Sequence, residues 1–128
     1  MKSFSGSYGE AMFHIVFVPK YRKSIFRNEA LASRCSELLM EIASKWKFDL
    51  VSLKVKPNHV HMTIDIGARY SLGQMAQFMK GASARFLFAE FPELREVLWG
   101  GELWSDGYFH RSMGDVNRET AIHYIENQ

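Results

Sequence analysis

The sequence predicts an α+β domain, an antiparallel sheet with helices packed on one face. Three patterns along the chain predict it. Residues 29–46 space their apolar side chains at the helical period. Residues 48–66 alternate apolar and polar in two runs separated by Pro57-Asn58. A second helical stripe starts at Leu72, and an aromatic-rich stretch follows it. Strand, helix, hairpin, helix and a further strand, in that order, leave the helices to cover one side of a single sheet.

Met12 to Val18 is a continuous β-prone run suited to a buried central strand, and Pro19 ends it. Lys20-Tyr21-Arg22-Lys23 follows as a basic stretch with one aromatic. Asn28 is placed to cap the helix over 29–46, because its side-chain oxygen accepts from an N–H that the first turn leaves without a partner. Leu31, Cys35, Leu38, Leu39, Ile42 and Trp46 form that helix's apolar stripe. In the strand over 48–56, Val51, Leu53 and Val55 fall on one face and Ser52, Lys54 and Lys56 on the other. Pro57-Asn58 is a turn signal, since proline presets φ and asparagine tolerates turn geometry. The next strand, over 59–66, alternates more cleanly. Val60, Met62, Ile64 and Ile66 share one face, and His59, His61, Thr63 and Asp65 share the other.

Ser71 and Gln74 have the spacing of a capping box, so a helix starts there and buries Leu72, Met75, Met79, Ala82 and Phe86. Pro92 separates it from a short segment over 94–98. The stretch from Trp99 to His110 mixes aromatics and glycines, as in a bend that leads into another strand. Asn117 is placed to cap a last helix over 118–128. The sum is a ferredoxin-like or RNA-recognition-motif-like arrangement.

Composition limits the function classes. A chain of 128 residues with 47% hydrophobic and 23% charged residues is sized for one domain, residues 1–128, and excludes a disordered chain or a coiled-coil rod. The net charge of +2 permits nucleic-acid binding only where positive residues cluster. No run approaches the ~20 apolar residues of a membrane span, and Met1 to Ser7 lacks the apolar segment of a secretion signal. The single cysteine, Cys35, excludes an internal disulfide and lies in a helical stripe as core filler. The expectation is a soluble, cytoplasmic protein with no membrane partner.

Three constellations can carry chemistry. His59 and His61, at i and i+2 on a strand, project from its polar face and can converge on one divalent cation. A bare pair of this kind also reads as two polar residues on the wet side of a hairpin. Tyr124 and Gln128, four apart on the last predicted helix, share one face. Tyr124 offers a phenol able to attack phosphorus and Gln128 a neutral ligand oxygen, although a half-buried tyrosine on an amphipathic helix gives the same pattern. Lys20, Arg22, Lys23, Lys54, Lys56, Lys80 and Arg85 interleave positive charge with aromatics, as single-stranded nucleic acid requires. Of the other histidines, His14 reads as a satisfied structural residue in an apolar strand, and His110 as a possible nucleic-acid contact.

Several ordered segments together resemble one family. They are Pro19-Lys20-Tyr21-Arg22, Lys56-Pro57-Asn58-His59-Val60-His61, Tyr70-Ser71-Leu72-Gly73-Gln74, the run from Leu98 to Phe109, Gly114-Asp115-Val116, and Tyr124-Ile125-Glu126-Asn127-Gln128. The chain is similar, over about residues 13–128, to the single-tyrosine HUH transposases (TnpA) of the insertion sequence 200/605 group. The resemblance implies an HUH endonuclease fold whose C-terminal helix carries the catalytic Tyr124. It implies His59, His61 and Gln128 as ligands of a divalent metal, Mg2+ or Mn2+. It implies a homodimer in a bacterial or archaeal cell that cuts and rejoins single-stranded DNA with hairpin ends through a 5′-phosphotyrosine. No nucleotide cofactor is expected, since the chain has no phosphate-binding glycine loop with its lysine. Two other readings stand beside this one: a non-catalytic or domesticated DNA-binding module on the same fold, and a metal-dependent hydrolase that uses activated water.

Overall fold

The computed structural model of the protein describes residues 11–113. The expected last helix, with Asn117, Tyr124 and Gln128, lies outside the described residues. The elements are β1 (Met12–Phe17), α1 (Glu29–Lys45), β2 (Asp49–Lys56), β3 (His59–Asp65), α2 (Leu72–Glu90), a single turn α3 (Leu94–Val97) and β4 (Phe109–Ser112). Two short 3₁₀ turns, Lys20–Arg22 and Ile25–Arg27, lead from β1 into α1. The sheet order is β2-β3-β1-β4, with antiparallel pairing throughout. This is the predicted ferredoxin-like architecture, in which β1 and β2 flank β3 in a split βαβ unit.

Local chemistry sets each boundary. The Asn28 side chain accepts from Leu31 N–H at 3.1 Å and opens α1. Trp46, placed by the sequence at the end of the helix, is its cap. Lys47 then takes a left-handed φ of 66°, and Phe48 N–H donates to Ala43 C=O at 2.8 Å while Lys47 N–H donates to Ser44 C=O. That double closure turns the chain sharply into β2. Ser71 accepts from Gln74 N–H, and the Gln74 side chain accepts from Ser71 N–H, so the capping box of α2 is complete.

α1 and α2 cover one face of the sheet. Ile15 and Phe17 of β1 and Val60, Met62 and Ile64 of β3 meet Leu31, Cys35, Leu39, Met75 and Met79 there, with no exposure above 2%. Two details depart from the sequence pattern. A β-bulge between Leu50 and Ser52 interrupts the β2–β3 register, so Leu50, not Val51, joins Leu53 and Val55 against the helix-side core. In α2, Phe86 is exposed, and burial passes instead to Ser83, Leu87 and Phe88. The last turns of α2 meet the segment before β4, where Trp104 Nε1–H donates to Ser83 Oγ at 3.0 Å. Among the described residues no helix is long and apolar enough to cross a membrane.

Two measurements test this packing. Ser71→Ala is expected to lower unfolding stability by about 1 kcal/mol in urea titrations, through loss of the cap. Burial pushes the Cys35 thiol up to about 12. A thiolate-directed alkylating reagent at neutral pH should therefore label Cys35 only in denaturant.

Candidate active site

The face of the sheet turned away from α1 and α2 is built by the strand period of two. In β3, Val60, Met62 and Ile64 point into the core, so His59, His61, Thr63 and Asp65 point the other way. The β2–β3 register sets Lys54 opposite His61 and Lys56 opposite His59. The hairpin therefore brings both lysines and both histidines to one face, as the alternation predicts. β1 adds His14 and Val16 to the same face, with Val16 paired to His61 and His14 to Thr63. β4 adds Phe109 and Arg111, paired to Val16 and His14.

The rings form a continuous row. His59 Nδ1 lies 2.8 Å from Asn58 Oδ1, His59 Nε2 lies 2.7 Å from His61 Nε2, and His61 Nδ1 lies 3.3 Å from His14 Nε2. The His14 and His61 rings lie parallel within 1°, with centroids 5.5 Å apart. Phe109 closes the row with its edge to His14, centroids 5.8 Å apart. His14, read from the sequence as a satisfied structural histidine, meets His61 through Nε2 and so belongs to this row. Its place in the Met12-His14-Val16 alternation was the available signal. Asn58 was read only as a turn residue.

The surroundings keep the imidazoles neutral. Burial, followed by the charges of His59, His14, Lys56 and Lys54, lowers the pKa of His61 to about 4. Burial and then Lys56 and Arg22 lower that of His59. Burial and then Arg111 lower that of His14. Neutral rings retain the lone pairs that a metal needs. The two Nε2 atoms converge to 2.7 Å, closer than the roughly 3 Å or more that two imidazoles keep on one cation at M–N distances of about 2.0–2.2 Å, so a small separation of the rings admits an ion between them. The pair thus fits a divalent ion. Among the described residues no group of three or more His, Cys, Asp or Glu side chains is arranged to hold a metal. Gln128, the expected additional ligand, lies outside the described residues, as does Tyr124.

The remaining basic candidates divide by position. Lys20 is paired with Glu102 at 2.9 Å. Tyr21 and Arg22 adopt left-handed φ values of 61° and 53°, and the Tyr21 ring lies 4.9 Å from the exposed Trp99 ring. Lys23 lines a groove of about 380 Å³ with Ile25, Asn28, Phe91 and Leu94. Lys80 and Arg85 sit on α2 and do not share the histidine face. The Lys80 ammonium donates to Ser105 C=O and Gly107 C=O, both at 2.8 Å, and burial lowers its pKa. His110 pairs with Ile15 and so lies on the helix side of β4, away from the histidine row.

Fold and site together define an HUH-type domain, a ferredoxin-like sheet with two co-facial histidines about one hydrophobic residue. The family described as IS200-like transposase matches residues 7–128. The ISDra2 transposase TnpA of Deinococcus radiodurans is 30% identical over all of this chain and 91% of its own length. The transposase for insertion sequence element IS200 of Salmonella typhimurium is 27% identical over 99% of this chain and 82% of its own. A crystal structure from Deinococcus radiodurans R1, described as a candidate transposase, superposes with TM-score 0.78 at 32% identity, covering 100% of this chain and 98% of that one. A REP-associated tyrosine transposase bound to a REP hairpin shares the fold, with TM-score 0.61 at 8% identity over 98% of this chain and 69% of its own. The chain belongs to the family of IS200-like transposases.

The positions of the lysines predict different substitution costs. Lys80→Met leaves two loop carbonyls without their donor and should cost about 1–3 kcal/mol of stability. Lys54→Met, on the rim of the sheet, should stay within about 0.5 kcal/mol in the same chemical denaturation assay.

Proposed function

We propose that this transposase cuts and rejoins single-stranded DNA by transesterification, with Tyr124 as nucleophile and the histidine face as the seat of the scissile phosphate. The observation that carries the reading is the convergence of two neutral imidazole nitrogens beneath a rim of Lys54, Lys56 and Arg22. The rim attracts the phosphate backbone, and each neutral ring has one lone pair to offer a cation. His59 and His61 would hold a divalent metal, Mg2+ or Mn2+, with Gln128 as a further ligand. Bound there, such an ion supplies Lewis-acid stabilisation of charge on a phosphate oxygen.

The chain's own residues carry the rest. The Tyr124 hydroxyl loses its proton and its oxygen bonds to phosphorus. The P–O3′ bond breaks, and the departing 3′ oxygen takes up a proton. The product is a 5′-phosphotyrosine and a 3′-hydroxyl, one phosphodiester exchanged for another, so a second 3′-hydroxyl can reverse the step without ATP. The exposed Tyr21–Trp99 ring pair beside Arg22 offers bases a stacking surface. The hairpin held by the REP-associated structural neighbour supports folded DNA ends as the partner class. One nucleophilic tyrosine per chain and two strand ends to join support a homodimer as the working unit.

Full-length protein incubated with Mg2+ and a labelled single-stranded hairpin is expected to form a covalent adduct that survives denaturing gels and maps to Tyr124. Tyr124→Phe should abolish the adduct and leave hairpin binding within a few-fold. Free 5′-phosphate product without an adduct would instead establish water as the nucleophile.

A further inference from the structure

The hydrogen bonds along the histidine row have a direction. Asn58 Oδ1 can only accept, so His59 Nδ1, 2.8 Å away, carries the proton of that ring. The lone pair of neutral His59 is then on Nε2, directed at His61 Nε2 at 2.7 Å. Two lone pairs at that distance repel, so the proton between them resides on His61 Nε2. His61 Nδ1 is consequently an acceptor, and His14 Nε2, 3.3 Å away, donates to it.

A cation at the pair needs the opposite assignment at His61. Its Nε2 must give up the proton, which moves to Nδ1, and the facing Nε2 of His14 must then accept instead of donate. Both rings stay neutral. The His14 Nε2 proton passes across the hydrogen bond to His61 Nδ1, the His61 Nε2 proton leaves to solvent as the cation takes its place, and His14 Nδ1 takes up one proton in return. We propose that His14 is a positioning residue for the metal site, the partner whose reversible donor and acceptor role lets His61 replace its Nε2 proton by a divalent cation, while Asn58 holds His59 in the ligating tautomer throughout. The inference rests on the reading that His59 and His61 take such a cation.

The fold keeps His14 fit for this role. His14 is 3% exposed, its ring parallel to that of His61 and in contact with Phe109. The β1–β3 register ties its backbone to Thr63, two pairs along from Val16 and His61 and so on the same face. Partners of metal-bound histidines typically set tautomer and ring orientation, and their loss costs about 10–100-fold in metal affinity. Here the partner is itself an imidazole, which can both give and receive at one nitrogen.

The test uses the full chain and nitrogen-15 NMR of the histidine rings, first without metal and then with Zn2+ alone, which is diamagnetic and favours imidazole. Without metal, His59 should carry its proton on Nδ1, and His61 and His14 theirs on Nε2. With Zn2+, His61 and His14 should both change to the Nδ1-protonated form. Zn2+ bound at His61 Nε2 with His14 unchanged would overturn the proposal. A second measurement is Mn2+ affinity by calorimetry, with thermal melts to show equal folding. His14→Phe keeps the ring and should bind Mn2+ about 10–100-fold more weakly. His14→Gln offers both an acceptor and a donor and should stay within a few-fold of the parent. Equal affinity in His14→Phe would refute the role of His14. A parent protein in which neither Mn2+ nor Zn2+ reaches His59 and His61 would refute the metal reading itself.

Discussion

The register between β1 and β3 is the constraint on which both faces of the sheet depend. Val16 opposite His61 and Ile15 opposite Met62 assign every second side chain of two neighbouring strands to the helix layer and the alternate ones to the histidine row. A slip of one residue would carry the imidazoles into the core and the apolar residues out of it. Core formation and site assembly are therefore one event. The burial of Ile15, Phe17, Met62 and Ile64, about 1.5–3 kcal/mol each by area arguments, also aligns three rings from two strands. The site needs no separate source of preorganisation.

Much of this was legible in the sequence because it follows from periodicity. The hairpin about Pro57-Asn58, the co-facial histidines, the lysines opposite them and both helix caps are local patterns with one physical solution. What escaped depends on contacts between distant segments. The bulge that exchanges Val51 for Leu50 arises from how β2 is accommodated along β3, and no alternation reveals it. Phe86 shares a helical stripe with Met79, yet the last turns of α2 are claimed by Trp104 through Ser83. Lys80 reads as one more surface cation until the loop over 105–107 supplies its carbonyls. His14 looked structural because only the β1–β3 pairing brings it to His61, 47 positions along the chain. Tyr124 and Gln128 come from the motif alone and lie outside the described residues.

The charge pattern of the histidine face has a double effect. Burial, reinforced by the positive side chains around the pair, keeps the imidazoles deprotonated, as ligation requires, and the same charges would repel a bare cation. On the proposed function, a phosphate anion would resolve the conflict by satisfying Lys54, Lys56 and Arg22 while sharing the metal. Cation and strand would then be linked in binding, each raising the affinity of the other by the same factor. A carboxylate cage would hold metal without any strand and lose that dependence.

The corner at Tyr21-Arg22 shows how narrowly local backbone geometry can restrict the residues a position accepts. Two successive left-handed residues cost of order 1 kcal/mol or more each unless the surroundings hold them, and here Lys20 N–H is anchored to Leu103 C=O at 2.8 Å. Valine, isoleucine and threonine clash in that conformation, and the proline ring cannot reach it at all. Over evolutionary time, drift at these two sites is confined to glycine, asparagine, aspartate and side chains unbranched at Cβ, whatever the surface they form is selected to bind.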